Sequence, residues 1–180
     1  MPDLPAAYRL HRHGTWTKIA LAQVRLGYEA RFLRRKRLVT VAGDGFLVDL
    51  AETVSLDHGD ALELADGRLI SVVAAAEEVM IVTGDLTRLA WHIGNRHTPC
   101  QMLPDKLLIR EDHVLEGMLL GLGAQVRHAV EPFTPEGGAY GHGRTMGHDH
   151  RGHDHRGHDN TFGLHHHGDG ILHSHAPLKR

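Results

Sequence analysis

The last 40 residues of the chain limit its fold more than any other feature. From residue 141 to residue 180 the sequence is rich in glycine, aspartate and histidine and poor in apolar side chains. Such a segment cannot bury a hydrophobic core, so we expect it to be disordered without a ligand. The folded part must therefore lie before it. A chain of 180 residues has room for one medium domain or two small ones.

Residues 1–75 are predicted to form a small all-β domain. Short apolar stretches cover residues 37–41, 46–50, 61–64 and 69–73, and turn sequences separate them. These turns contain Gly43-Asp44-Gly45, Asp57-His58-Gly59-Asp60 and Asp66-Gly67-Arg68. Asp-Gly pairs supply the positive φ that hairpin turns need. We expect a small antiparallel sandwich or a barrel-like domain.

Residues 76–141 alternate between strand and helix patterns. Strands are predicted over residues 78–83, 100–103, 106–109 and 125–133. Asp85 can cap a helix that runs to about Asn95, and Asp112 can cap a second helix. The second helix has the apolar face Val114, Leu115, Met118, Leu119 and Leu122, and Gly123 suits its end. The order β-α-β-β-α-β predicts a ferredoxin-like domain, so the chain is classed as α+β with a His-rich tail over residues 142–180.

Bulk composition excludes several classes of protein. The formal net charge is −2, which argues against a nucleic-acid binder. The single cysteine, Cys100, excludes an intramolecular disulfide and a CxxC thiolate site, and it fits a reducing cytoplasm. The N-terminal segment lacks the apolar core of a signal peptide, and no apolar run approaches the ~20 residues that span a bilayer. We therefore expect a cytoplasmic protein that does not contact the membrane.

The tail has the composition of a metal-binding segment. Eleven of the 18 histidines lie in it: His142, His148, His150, His153, His155, His158, His165, His166, His167, His173 and His175. Each neutral imidazole offers one nitrogen lone pair, and the interspersed aspartates add oxygen donors. Imidazole suits zinc, copper, nickel and iron, so ligand type alone does not choose the metal. An expression tag and a solvated spacer are the alternatives. The Gly-His-Asp-His-Arg repeat disfavours a tag, and a passive spacer would not need 11 imidazoles.

Among the histidines before the tail, His97 has the most informative position. It lies four residues after Ile93 and would extend the stripe of Leu86, Leu89, Ala90 and Ile93 if the helix continued that far. An imidazole there is a core or surface residue by default. The alternative is a ligand near a two-fold axis, where a homodimer brings His97 of both chains together. His92 would lie on a different face of a regular helix.

Other residues with ligand chemistry have weaker patterns. His113, beside Glu111 and Asp112, could form a weak surface metal site, although a helix start in solvent is the more common case. His11, His13, His58 and His128 show no convergent pattern. Cys100 could be a nickel or copper thiolate ligand, but a strand residue that faces the core is the favoured interpretation.

The chain contains one basic run and lacks three common catalytic motifs. Residues 34–37, Arg-Arg-Lys-Arg, could bind an acidic partner or nucleic acid, but a solvated strand edge or turn is favoured. The phosphate-binding loop Gly-x-x-x-x-Gly-Lys-Ser/Thr, the HExxH motif and the GxSxG motif are absent. No constellation of three ligands and a general base is visible, so an enzyme is the least supported class.

The run WHIGNRHTPCQ at residues 91–101 resembles the UreE family of urease accessory proteins. Its signature is Gly94-Asn95-Arg96-His97 followed by Pro99 and Gln101. Residues 66–68 and 74–78 resemble the domain junction of that family, and residues 112–115, 132–133 and 137–141 also match. The His-rich tail follows, so the resemblance covers most of the chain.

The resemblance implies a nickel metallochaperone that is not itself an enzyme. UreE-like proteins bind Ni²⁺ and pass it to apo-urease together with other accessory proteins, including a GTPase. It implies an N-terminal domain similar to a chaperone peptide-binding domain and a homodimer formed through the second domain. His97 would bind nickel at the dimer interface, joined by tail histidines. Some members carry histidines before the second helix, but here Arg110, Glu111 and Asp112 stand there and only His113 remains.

Two alternatives to a nickel donor remain open at this point. The first is a buffer or storage protein for zinc, copper or nickel that acts mainly through the tail. The second is a peptide-binding assembly factor for which metal is incidental. Deletion of residues 142–180 would separate a donor from a tail-only buffer, because a donor keeps an ion at His97.

Overall fold

The fold is described from a computed structural model that covers residues 4–137 and the backbone of two strands within the tail. Six strands and a 3-10 turn, Glu29–Arg31, make up the N-terminal domain. These strands are β1 (Ala7–His11), β2 (Ala22–Leu26), β3 (Phe32–Val39), β4 (Gly45–Ser55), β5 (Ala61–Leu64) and β6 (Leu69–Ala74). They form one sheet in the order β2-β6-β5-β1-β4-β3.

The N-terminal sheet is barrel-like, as predicted, but it is mixed and not purely antiparallel. β1 pairs with β4 and β2 pairs with β6 in parallel. Turn sequences indicate only antiparallel hairpin neighbours, and the sequence analysis did not predict β1 and β2. The two parallel pairs could therefore not be predicted. Two residues beyond β3, the Val41 N–H donates to the Gln23 carbonyl of β2 at 2.8 Å, which links the two edges of the sheet at this point.

Turns with glycine in the left-handed region join the predicted hairpins. Gly43 has φ 96° between β3 and β4, and Gly67 has φ 81° between β5 and β6. The Leu64 N–H donates to the Arg68 carbonyl at 2.8 Å across the second of these turns. The pair Asp66-Gly67 therefore predicted the second turn correctly, because glycine adopts this φ at little cost. In the first turn the positive φ falls on Gly43 and not on Gly45 of the predicted Asp44-Gly45 pair.

The C-terminal domain has the predicted ferredoxin-like order. Its elements are β7 (Ala76–Thr83), α1 (Leu86–Gly94), β8 (Gln101–Met102), β9 (Leu107–Arg110), α2 (His113–Gly121) and β10 (Gln125–Pro132). The sheet has the order β10-β7-β9-β8. Asp85 accepts a hydrogen bond from the Arg88 N–H at 3.2 Å, and Asp112 accepts from Val114 and Leu115 at 2.8 and 3.0 Å, so both predicted caps are confirmed.

Both helices pack on one face of this sheet. Alternation along β7 directs Met80 and Val82 towards Leu89, Ile93 and Leu119 in a continuous buried cluster. The predicted apolar faces are confirmed except at Val114, which is 55 % exposed. Val114 lies outside the i, i+4 line of the buried residues Leu115 and Leu119.

The other face of the sheet packs against the N-terminal domain. Val79, Ile81 and Leu108 share a buried cluster with Tyr28 and Phe133. The rings of Tyr28 and Phe133 meet edge-to-face with centroids 5.5 Å apart. This cluster joins the two sheets through apolar contact.

Polar contacts surround that cluster. The Glu77 carboxylate accepts a hydrogen bond from the Tyr28 N–H, and the buried Arg31 guanidinium donates to the Phe133 carbonyl. At the rim, Arg110 lies 3.0 Å from a carboxylate oxygen of Glu29. The sequence patterns missed all these pairs, because each joins residues far apart in the chain.

Two strands are described in the tail: β11 (Leu164–His167) and β12 (Ile171–Ser174). They pair antiparallel, with His165 opposite His173 and His166 opposite Leu172. Apart from these strands, the prediction of a disordered tail falls outside the described residues. Among the described helices, none combines the length and apolar character that a membrane crossing requires.

Candidate metal-binding site

The turn that carries His97 follows helix α1. The helix ends at Gly94, close to the predicted end at about Asn95, so it does not continue to His97 and His97 does not extend its apolar stripe. The Arg96 N–H donates to the Ile93 carbonyl at 3.1 Å, and the His97 N–H donates to the Gly94 carbonyl at 2.9 Å. Each of these hydrogen bonds reaches a carbonyl three residues earlier, not four as in an α-helix. They tighten the chain and turn it away from the helix axis. His97 is consequently exposed and not part of the core.

The backbone of His97 is strained. Its φ is 54°, the one positive value among the non-glycine residues of the described part of the chain. The left-handed position after a helix is usually occupied by glycine, because a Cβ there costs about 1–2 kcal/mol. A chain that keeps histidine where glycine would be more stable has a use for the imidazole. His97 is therefore the strongest candidate ligand among the described residues.

Cys100, three residues further, has a structural environment. It is half-buried and packs against the helix-covered core of the C-terminal domain, as predicted, but it lies just before β8 and not in a strand. Burial, and then the charge of Glu136, raise the pKa of its thiol to about 11. The thiol is therefore protonated at neutral pH and is a poor thiolate ligand.

The chain that leads to the tail passes beside the His97 turn. The side-chain oxygen of Gln101 accepts a hydrogen bond from the Thr134 N–H at 2.8 Å. The Cys100 carbonyl accepts from the Glu136 N–H at 2.9 Å. Residues 134–136 are thus fixed next to the segment that follows His97.

The predicted surface site around His113 does not form as a cluster. His113 is exposed at the first residue of α2, but the carboxylate of Asp112 caps that helix. Glu111 is directed to His128, whose Nδ1 lies 2.9 Å from its Oε1. The two carboxylates that the sequence placed beside His113 are thus engaged elsewhere. A ligand role of His113 stays a prediction.

His128 bridges two carboxylates, a pattern that the sequence analysis missed. Its Nε2 lies 3.1 Å from Oε1 of Glu116, opposite the contact with Glu111. The hydrogen bonds to Glu111 and then to Glu116 raise the pKa of His128, because both favour the protonated ring. The three residues come from β10, α2 and the loop before α2, and only the folded sheet brings them together.

The remaining histidines before the tail are dispersed. The His92 ring packs edge-on against Trp91 with centroids 5.0 Å apart. His11 lies 2.8 Å from Glu63, and its hydrogen bond lowers the pKa of that carboxylate. His58 accepts from the Ala74 N–H at 3.3 Å. In the part of the chain that the structure describes, no three His, Cys, Asp or Glu side chains form a set that could hold a metal ion.

The predicted tail ligands fall largely outside the described residues. This holds for His142, His148, His150, His153, His155, His158 and His175. His165, His166, His167 and His173 lie in β11 and β12, of which the backbone alone is described. Their role as ligands stays a prediction.

The basic run at residues 34–37 lies in β3, one of the outermost strands of the N-terminal sheet, and all four residues are exposed. Arg35 lies 3.8 Å from Asp49, and Arg34 donates to the Leu50 carbonyl at 3.4 Å. The favoured interpretation of a solvated strand edge is consistent with this position.

Two family models match the chain and together cover most of it. The model of the UreE urease accessory protein, C-terminal domain, matches residues 77–176, and that of the N-terminal domain matches residues 4–75. The chain belongs to the UreE family of urease accessory proteins. The family signature at residues 94–101 comprises the strained turn that carries His97 and the Cys100–Gln101 segment that follows it.

Named relatives agree with the family assignment. The chain is 68 % identical over 150 residues to the urease accessory protein UreE of Cereibacter sphaeroides, a match that covers 83 % of this chain and 82 % of that protein. It is 62 % identical over 149 residues to the UreE of Ruegeria pomeroyi, covering 82 % and 99 %. For the UreE of Rhodobacter capsulatus the identity is 63 % over 144 residues, covering 80 % and 92 %. All three are named as accessory proteins and not as enzymes.

Proposed function

We propose that this UreE family member is a nickel metallochaperone that works as a homodimer and donates Ni²⁺ to apo-urease without catalysing a reaction. The observation that carries the proposal is His97, an exposed imidazole held at a strained backbone position within the family signature. Neutral imidazole is a good ligand for nickel, and also for zinc and copper, which we expect to bind as competitors.

One imidazole does not hold a divalent ion tightly, so His97 needs further ligands. A two-fold dimer axis near His97 would place the same residue of a second copy opposite it. Trp91, in the helix that leads to this turn, is 65 % exposed, and a large exposed apolar side chain is suited to burial in such an interface. We propose that the two His97 side chains form the centre of the nickel site.

The tail supplies the next ligand. His142 is six residues beyond Glu136, which is bonded to Cys100. Six extended residues span at most about 20 Å, so the tether is short and the effective concentration of this imidazole near His97 is high. The later tail histidines add capacity and capture further ions.

Transfer proceeds by ligand exchange. Imidazoles of the donor and of the acceptor replace one another on the ion, so that it is never released as the free aqua ion. Only neutral imidazole coordinates, so binding competes with protons. We expect nickel affinity to fall as the pH falls below ~6.5, the ordinary pKa of histidine. An equal affinity at pH 8 and pH 5 would contradict the role of imidazole ligands.

The proposed setting is the cytoplasm, where urease is assembled. Membership of the family supports a place among the urease accessory proteins, including the GTPase that the resemblance implies. We expect those proteins and apo-urease to be the partners, and not nucleic acid or membrane.

Two changes to the chain test the proposal. Deletion of residues 142–180 should leave one Ni²⁺ per dimer, bound more weakly, whereas His97→Ala should remove this ion and leave only the dispersed tail binding. Isothermal titration with nickel, zinc and copper measures both. Normal activation of urease by a chain that lacks both His97 and the tail would overturn the proposal.

The same titration tests the rival function. The 11 tail histidines favour a broad-specificity buffer for zinc, copper and nickel as the second candidate. A buffer of this kind would lose essentially all binding when the tail is deleted, and His97→Ala would leave its affinity unchanged.

A further inference from the structure

We propose that Gln101 is a positioning residue that ties the turn carrying His97 to residues 134–136. The inference rests on the proposed function, because it concerns how the turn that carries His97 is held. Gln101 itself is not a ligand in this proposal. Its contribution is a side-chain carbonyl that accepts the Thr134 N–H at 2.8 Å.

The His97 turn has two ends, and they are held differently. The end towards α1 is fixed by backbone hydrogen bonds, including that from the His97 N–H to the Gly94 carbonyl. The end towards β8 follows the weakest strand of the sheet, since β8 has only two residues and pairs with β9 alone. Any added restraint at Gln101 therefore bears directly on the position of His97.

Residues 134–136 supply that restraint. Their hydrogen bonds reach both Gln101 and the Cys100 carbonyl, so the segment lies beside the end of the turn. One of the two bonds depends on a side chain and the other only on the backbone. Gln101 is therefore the residue whose substitution removes one of these two hydrogen bonds.

The segment also starts from a fixed point. Phe133 is fully buried against Tyr28, and the Arg31 guanidinium donates to its carbonyl. Thr134 follows Phe133 directly, so its position is already restricted before it forms the hydrogen bond to Gln101. The entropic cost of ordering is therefore small, and most of the strength of the bond remains for positioning.

The expected effect follows from the strength of one such bond. A side-chain hydrogen bond to a backbone N–H contributes a net free energy that corresponds to about a fivefold change in an equilibrium constant. We expect Gln101→Met, which has a similar shape and no oxygen, to weaken Ni²⁺ binding at the His97 site about fivefold. Gln101→Glu keeps the acceptor and should retain at least the wild-type affinity.

The experiment uses the full chain in the metal-free and nickel-titrated states. Amide hydrogen exchange at Thr134 is measured first without metal, and Ni²⁺ affinity is then measured by isothermal titration. Gln101→Met should speed amide exchange at Thr134 and lower the Ni²⁺ affinity. Gln101→Glu should keep both the exchange rate and the affinity close to those of wild type. The control is Met102→Leu on the same strand, since Met102 is 51 % exposed and its substitution leaves the Thr134 bond intact.

A second variant approaches the same bond from the other side. Thr134→Pro removes the N–H donor and leaves Gln101 in place. Its effect on affinity should match that of Gln101→Met, and the double variant should lose no more than either single one. This pattern would support the inference even if one single variant folded less well.

Two results would overturn the inference. One is faster exchange at Thr134 in Gln101→Met with unchanged nickel affinity, which would show that the bond does not position the site. The other is a full additive loss in the double variant. A wild-type chain that bound no nickel would overturn the proposed function itself, and that result is separate because it does not involve Gln101.

Discussion

Two exposed imidazoles of the C-terminal domain, His97 and His128, show opposite ways of holding a histidine at a surface. His128 lies in a regular strand opposite Met80, and both of its ring nitrogens are within hydrogen-bond distance of carboxylates. His97 lies in a turn with φ 54°, a conformation that costs free energy for any residue with a Cβ. The side-chain contacts of His128 stabilise it, whereas the backbone conformation of His97 is unfavourable.

This difference separates a structural histidine from a candidate ligand. Two carboxylates beside His128 favour the protonated ring, and a protonated ring has no lone pair for a metal. The strain at His97 has the opposite implication, because histidine is present at a position where glycine would be more stable. Exposure alone would not have distinguished the two residues, because both lie at the surface.

The largest expected contrast is in nickel affinity. His97→Gly should weaken nickel binding at the tight site by more than about 100-fold, because residues that merely support a ligand already contribute 10–100-fold. His128→Gln should leave the affinity within about twofold of wild type. Isothermal titration of both variants at pH 7.5 measures the contrast. Equal losses in the two variants would show that the backbone strain does not mark the ligand.

The next contrast separates the backbone of His97 from its imidazole. Glycine at position 97 should give a more stable protein than alanine by about 1 kcal/mol, since only alanine retains the strained Cβ. Both variants lack the ligand, so their nickel affinities should agree. Chemical denaturation of the metal-free proteins gives the free energies of unfolding. An alanine variant as stable as the glycine variant would remove the argument from strain.

Sequence patterns predicted the parts of this fold that local chemistry controls. The caps Asp85 and Asp112, the Asp66-Gly67 turn and the βαββαβ order depend on residues close together in the chain, and all were confirmed. The end of α1 lies close to the predicted end at about Asn95. The left-handed backbone of His97 was not predicted, because periodicity does not specify the conformation of single residues after a helix.

Long-range pairs could not be predicted in the same way. The carboxylates around His128, the contact of Tyr28 with Phe133 and the bond from Thr134 to Gln101 join separate elements. No spacing rule connects residues whose proximity depends on the register of a sheet. Family resemblance identified His97 and Gln101 as signature residues, but the structure was needed to show the strained turn and the bond to Thr134.

A smaller contrast concerns pH. The pKa of His128 is raised in the folded protein, so its contribution to stability is fully present below the unfolded pKa of ~6.5 and is lost as the pH rises through the folded pKa. We expect wild type to exceed His128→Gln in unfolding free energy most at about pH 5.5, and this advantage should shrink towards pH 9. Urea denaturation across this range measures it. A difference that stayed constant with pH would exclude the charged ring as its source.

The smallest expected effect is at Cys100, the other residue near His97 with ligand chemistry. With a thiol pKa of about 11, roughly one molecule in ten thousand carries a thiolate at pH 7, so Cys100→Ala should leave nickel affinity within about twofold of wild type. Alkylation of the folded protein by iodoacetamide should be much slower than that of the unfolded chain. A sulfur-to-nickel charge-transfer band in wild type that is absent from Cys100→Ala would contradict this. It would mean that nickel binding displaces the thiol proton in spite of burial, and that the imidazole of His97 is not the only ligand selected at this turn.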